Sequence, residues 1–273
     1  MTSISFLLNA APPWVSALER GEKGLSFRAA PPKPSGASTR QYSLVISETS
    51  GGKVAVREGE GERLLPKCCP ERHINPGGSF CIFLSSTAAI LGPEPAVDWW
   101  KSLGDFLVNQ DYANKHRRWP ITAQLSHGSA AELQLKMEAI ADRLGWRDEI
   151  LSGIFRRQGW LGGKLPKLRK KTSKLVNGRA PCPRECHQLH SPFKKHSCGI
   201  QKCAGNCYKS HRHKLRRACP HRSDIEQLII LESERRRLDI EFTKSLRKDN
   251  YSCCGTMAYC PLADEDNGRE ERS

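Results

Sequence analysis

Nine of the twelve cysteines lie beyond residue 180, close to His211, His213 and His221, and this crowding limits most what the chain can fold into. They fall as Cys182-x3-Cys186, Cys198-x4-Cys203-x3-Cys207, Cys219 and, after a long charged stretch, Cys253, Cys254 and Cys260. Disulfide frameworks belong chiefly to short secreted chains, whereas cysteine and histidine at short gaps are read as metal ligands. Gaps of about two to four residues let two side chains of one loop reach the same ion. All nine are therefore expected zinc ligands, in a structural role, because thiolates outnumber open positions. The irregular gaps leave the ligand pairing open, and with it the number of metals and any histidine contribution.

The formal net charge of +15 and pI near 9.4 call for an acidic partner or surface. Between residues 149 and 180 the composition turns basic, with Arg156, Arg157, Lys164, Lys167, Arg169, Lys170 and Lys171 spread among glycine and proline, as in a linker. Such a run suits phosphate contacts or an acidic protein equally. No apolar stretch approaches the roughly 18 residues needed to cross a bilayer. The apolar start, Met1 to Ala10, lacks the basic residue of a cleaved signal peptide. A soluble, cytoplasmic protein is expected.

Along the chain, Trp14, Val15 and Leu18 recur at helical spacing and predict a short amphipathic helix over 12–21. Leu25 to Ala30 alternates weakly before a proline-rich loop at 31–36. The β-branched runs 42–46 and 53–57 flank Gly51-Gly52 and predict a hairpin. Asp98 is the expected cap of a helix burying Trp99, Trp100, Leu103, Phe106 and Leu107. Ser129 with Glu132, and Ser223 with Glu226, read as capping boxes, the second opening a helix to about Lys248. His127, just before the first of these helices, reads as a polar surface residue. The class is α+β, an antiparallel β-meander with flanking helices followed by a basic, zinc-bound module of helix and loop.

One stretch inside the first half carries reactive groups. His73-Ile74-Asn75-Pro76-Gly77-Gly78-Ser79-Phe80-Cys81 sets an imidazole, a carboxamide and a thiol around a tight turn. Cys81 as a thiolate is a nucleophile, and Asn75 is a donor for the oxyanion of acyl transfer. Two other readings compete: a small core cysteine ahead of Ile82, and a zinc site of Cys68, Cys69, His73 and Cys81.

The segment resembles the active-site region of ubiquitin-conjugating enzymes, with His73-Ile74-Asn75 in place of the family's His-Pro-Asn and Gly78-Ser79-Phe80-Cys81-Ile82 as the cysteine run. Ile74 replaces the proline, and the gap from Asn75 to Cys81 is shorter than in the family. The resemblance covers residues 1–148 and is followed by the basic linker 149–180, a cysteine-rich module 181–262 and an acidic tail, 263–273, expected to be disordered. It implies that Cys81 carries a ubiquitin-like protein as a thioester, received from an activating enzyme and passed to a protein target, with Asn75 and His73 in support. Cysteine-rich companions of such domains resemble those of bacterial gene clusters. The alternatives are a non-catalytic zinc protein that binds nucleic acid through its basic module, and an inactive conjugating-like scaffold.

Overall fold

A hairpin at 42–58 is the seed of a four-stranded antiparallel sheet of order β1-β2-β3-β4. The structure, a computed structural model, describes residues 2–22, 24–48, 53–61, 63–82, 89–166, 168 and 221–263. The strands are β1 Val15–Arg20, β2 Gly24–Ala29, β3 Tyr42–Glu48 and β4 Val54–Glu58. Side chains of a strand alternate between faces, so the register decides the core. Leu25 lies opposite Ile46, Phe27 opposite Leu44, and Ala29 opposite Tyr42, and all six are buried. Ile46 then faces Val56 on β4.

The expected helix over 12–21 is instead strand β1. Its pairing steps from Ser16↔Arg28 to Glu19↔Ser26, three residues against two, which is a β-bulge with Ala17 at φ +48°. The extra residue breaks the period of two. Val15 and Leu18, three apart, both pack on the core and so imitate a helical pattern. The helix in this region is α1, Ser3–Asn9, capped by the Thr2 hydroxyl.

Helix α2, Pro93–His116, lays Trp99, Trp100, Leu103, Phe106 and Leu107 on the sheet, as its apolar stripe predicts. Trp100 donates its indole N–H to the Leu7 carbonyl at 2.9 Å and fixes α1 to α2. Asp98 does not cap this helix. It begins at Pro93, preceded by Gly92, because proline lacks the N–H that a first turn leaves unpaired.

Chain packing divides the molecule into Met1–Gln124 with Thr243–Ser273, and Leu125–Phe242. Helices α3 Ala130–Leu144, α4 Arg147–Arg156 and α5 Gly159–Gly162 belong to the second unit. The start of the basic linker is therefore helical, and Ile150, Leu151, Ile154 and Leu161 are buried. Much of α6, Arg222–Lys248, completes that unit with Ile225, Leu228 and Ile229.

Neither capping box forms. Ser129 already has helical dihedrals and makes no capping hydrogen bond, while the amides of Ala130 and Ala131 donate to the carbonyls of His127 and Gly128. Ser223 lies inside α6, whose first turn is closed by the Ile225 amide on the His221 carbonyl. His127 is not a free surface group. Its ring stacks on Phe242 at 5.1 Å and meets Asp239 at 3.3 Å.

Two polar networks lie against these cores. In the first unit Asp111 accepts from Lys33 at 2.8 Å, Tyr42 at 2.8 Å and Arg40 at 3.1 Å, joining α2 to the sheet and its proline loop. Burial raises the Asp111 carboxyl, but the hydrogen bonds from Lys33 and Tyr42 outweigh it and hold it below its ordinary value. In the second unit the wholly buried Glu232 accepts from Arg235 and Arg236, each at 2.6 Å.

A lowered folded-state pKa means that Asp111 binds fewer protons folded than unfolded. It contributes stability above the unfolded carboxylate value of about 3.9, and this is lost as pH falls through the lowered folded value. Asp111→Asn is expected to cost about 1–3 kcal/mol at neutral pH and to flatten the acid limb, as measured by urea unfolding at a series of pH values. Glu232→Gln leaves two guanidinium groups short of their anion and is expected to cost about 3–5 kcal/mol in the same assay.

Candidate functional site

Strand β4 extends its hydrogen bonding into the reactive stretch. The Phe80 amide donates to the Val56 carbonyl at 2.9 Å, and Arg57 bridges Ser79. Ile74 then bridges Phe80 on one side and Cys69 on the other. Between them the chain reverses at Asn75-Pro76-Gly77-Gly78, closed by the Gly78 amide on the Asn75 carbonyl at 2.9 Å. Gly77 and Gly78 sit at φ +86° and +83°, backbone angles that side chains with a Cβ rarely take. The result is a short hairpin with Cys81 at the base of its second arm.

The replacement of the family's proline has a local reason. The Ile74 amide donates to the Cys69 carbonyl at 3.0 Å, a bond that proline lacks the hydrogen to make. The Ile74 side chain is buried in the first core, with Phe80 beside it. Phe80 in turn stacks on Phe106 of α2 at 4.7 Å. Sheet and helix thus hold both arms of the hairpin.

Of the three expected site residues, His73 and Cys81 meet through the backbone, where the Cys81 amide donates to the His73 carbonyl at 2.8 Å. His73 takes left-handed dihedrals, φ 54° and ψ 38°, and its ring packs on Trp119 at 5.0 Å. Its side chain is buried, as suits a residue that shapes the turn. Asn75 is exposed at the tip and donates from Nδ2 to Ser79 Oγ at 3.4 Å. Cys81 is an exposed residue, unlike the core cysteine that the apolar run allows. Packing around its sulfur nevertheless pushes the thiol above its ordinary value.

Sequence reasoning missed the residue that anchors the loop. Arg72 is buried, and its Nε donates to Gln110 Oε1 at 2.7 Å while Nη2 donates to the Gln110 carbonyl at 3.2 Å. Gln110 returns a bond from Nε2 to the Arg72 carbonyl at 2.8 Å. Arg72 Nη1 reaches Thr256 Oγ1 at 3.4 Å. Burial draws the guanidinium below its usual pKa. The partners lie 38 and 184 residues away in sequence, which no local pattern encodes.

Thr256 belongs to the carboxy-terminal segment, which packs in the first unit. Met257 enters the core, the Ala258 amide donates to the Arg117 carbonyl at 2.8 Å, and Arg118 covers the Tyr259 ring. This segment brings Cys253, Cys254 and Cys260 to the side of Cys68 and Cys69. The Cys69 and Cys254 sulfurs are 3.0 Å apart. Their hydrogen bond brings Cys254 down to about 5 and, with burial, pushes Cys69 up. Burial and a hydrogen bond with Cys253 push Cys260 up to about 12.

The zinc expectation meets these residues unevenly. Two thiolates on one tetrahedral zinc, with bonds of about 2.3 Å, stand roughly 3.8 Å apart, farther than the sulfurs of Cys69 and Cys254. Among the described residues no group of three or more His, Cys, Asp or Glu side chains is arranged to hold a metal ion. That includes the competing set of Cys68, Cys69, His73 and Cys81. Cys182, Cys186, Cys198, Cys203, Cys207 and Cys219 lie outside the described residues, as do residues 264–273 of the expected tail.

Residues 14–121 match the family model described as "Prokaryotic E2 domain", and residues 194–262 match "Cysteine-rich domain, C-terminal to E2 domain". The first match spans the whole sheet, the hairpin and α2. No curated protein and no solved structure matches the chain. The order of the two domains agrees with the resemblance carried by residues 73–82. At the level of the family, an E2 domain belongs to ubiquitin-like conjugation, with a ubiquitin-like protein and an activating enzyme as general partners. A cysteine-rich domain suggests metal binding. Among the described residues no helix is long and apolar enough to cross a membrane.

The raised thiol of Cys81 sets how it reacts. Its alkylation by iodoacetamide, followed by peptide mass spectrometry, is expected to be slow at pH 7 and to climb about tenfold per pH unit past the ordinary thiol value of about 8.5. A rate already level below that value contradicts the assignment.

Proposed function

We propose that this chain, an E2-like domain followed by its cysteine-rich companion, accepts a ubiquitin-like protein on Cys81 as a thioester and passes it to a target. The observation that carries the reading is the exposure of Cys81 at the base of a hairpin held by sheet and helix, inside the segment that matches the E2 family. An accessible thiol on a fixed loop is what acyl transfer between proteins needs, because most of the task is positioning.

In the first step the Cys81 thiol loses its proton, and the thiolate attacks the thioester carbonyl that joins the modifier to the activating enzyme. The tetrahedral intermediate collapses and expels the activating enzyme's thiolate. One thioester replaces another, so the energies nearly balance. A lysine amine or a hydroxyl of the target then attacks the same carbon, and Cys81 leaves as thiolate. The high pKa of Cys81 lowers the thiolate present before attack, but it makes a more nucleophilic sulfur once ionised.

Asn75 is the proposed donor to the oxyanion. Its amide is exposed at the hairpin tip and held by the long bond to Ser79, so exchange for a substrate oxygen sacrifices little. His73 is a positioning residue, acting through the carbonyl that receives the Cys81 amide. Zinc held by Cys182, Cys186, Cys198, Cys203, Cys207 and Cys219 is the proposed scaffold of the cysteine-rich domain. Its basic surroundings are proposed to dock an acidic partner, either the target or the activating enzyme.

The test is to charge the protein with a ubiquitin-like partner, its activating enzyme and ATP. An adduct cleaved by thiol reductant is expected for the wild type and for Asn75→Ala, and is lost in Cys81→Ala. Cys81→Ser is expected to give an adduct that reductant does not cleave. Discharge to an amine by Asn75→Ala is expected to slow by about 10²–10³. An adduct that persists in Cys81→Ala overturns the reading, as does failure to charge with a system that charges another E2 protein.

A further inference from the structure

The geometry points to Cys69 and Cys254 as a thiol–disulfide modification site, closed by a low-molecular-weight disulfide such as oxidised glutathione. Their sulfurs are 3.0 Å apart across 185 residues of sequence. This is nearer than two ligands of one tetrahedral zinc, and about 1 Å from the S–S bond length of about 2.05 Å. The inference does not rest on thioester chemistry at Cys81.

Both backbones hold the pair in place. Cys69 is extended and exchanges two hydrogen bonds with Ile74, each 3.0 Å, before the single turn Pro70–Arg72. Cys254 is followed by Gly255 at φ +70° and then Thr256, whose hydroxyl lies 3.0 Å from the Cys254 sulfur and 3.4 Å from Arg72 Nη1. Cys69 is buried and Cys254 half-buried, so the reagent meets Cys254 first.

The Cys254 thiol loses its proton and attacks one sulfur of the reagent, and the reagent's S–S bond breaks to release one thiolate. The Cys69 thiol then loses its proton and attacks the Cys254 sulfur, expelling the second thiolate. Two protein thiols are oxidised to one disulfide, and the reagent is reduced to two thiols that take up the two protons. The product is a covalent latch between the carboxy-terminal segment and the first arm of the Cys81 hairpin.

The experiment uses the full chain, reduced and then incubated with oxidised glutathione, quenched by alkylation and digested without reductant. Mass spectrometry is expected to find residues 69 and 254 in one linked peptide pair, released by dithiothreitol. The link is expected to persist in Cys81→Ala, Cys68→Ser and Cys253→Ser and to vanish in Cys254→Ser. In the wild type, closure is expected to slow proteolytic removal of the carboxy-terminal segment. Glutathione remaining on Cys254 without the link, a link from Cys254 to another cysteine, or oxidation that proceeds only after a chelator strips zinc would each overturn the inference. The wild-type map decides the matter whether or not every variant folds.

Discussion

The buried guanidinium of Arg72 is the point from which the first unit is hung. A charge taken out of water is costly unless its donors are met, and here three pieces of chain meet them. Gln110 supplies a side-chain and a backbone acceptor from the middle of α2, and Thr256 supplies a hydroxyl from the carboxy-terminal segment. Arg72 itself precedes His73, so the start of the reactive hairpin is fixed to the helix that roofs the sheet. Gln110 binds back to the Arg72 carbonyl, which makes the clamp reciprocal. An apolar side chain at position 72 would satisfy the core but leave the Gln110 amide and the loop without partners.

From the clamp, order passes outward through backbone pairing. β4 pairs with β3, its edge takes Ser79 and Phe80, Ile74 takes Phe80, and Cys69 takes Ile74. Each step uses main-chain groups that would otherwise be buried without partners. The hairpin therefore extends the sheet, and the place of Cys81 follows from register as much as from side-chain contacts. A one-residue slip would turn Phe80 away from Phe106 and bring Ser79 to the core instead.

What the sequence declared, and what it withheld, divides along this line. The β3–β4 hairpin and the α2 stripe were legible because each is written in a local period, and the reactive stretch because its residue types cluster. The α2 stripe even gave the correct inward residues while Asp98 gave the wrong start, since capping depends on which residue ends the helix and not on which one is able to cap. Ser129 and Ser223 fail in the same way, with backbone carbonyls of His127, Gly128 and His221 already in place. β1 was misread because one bulged residue turns a period of two into a spacing of three. Arg72 and Asp111 carry no local signature, because the partners that make their burial tolerable lie on other elements, whereas Glu232 is met at i+3 and i+4 by Arg235 and Arg236 of its own helix.

The cysteines show why a spacing argument reaches only part of the way. Cys253, Cys254 and Cys260 lie inside the matched cysteine-rich segment, which runs to residue 262. Yet Met257 between them is buried in the core of the first unit, and Thr256 completes the Arg72 clamp. An amino-terminal fragment ending at residue 124 lacks both the Met257 contact and the Thr256 hydroxyl. The first unit is therefore completed by residues that lie inside the matched cysteine-rich segment, and its folding draws on chain more than a hundred residues beyond α2.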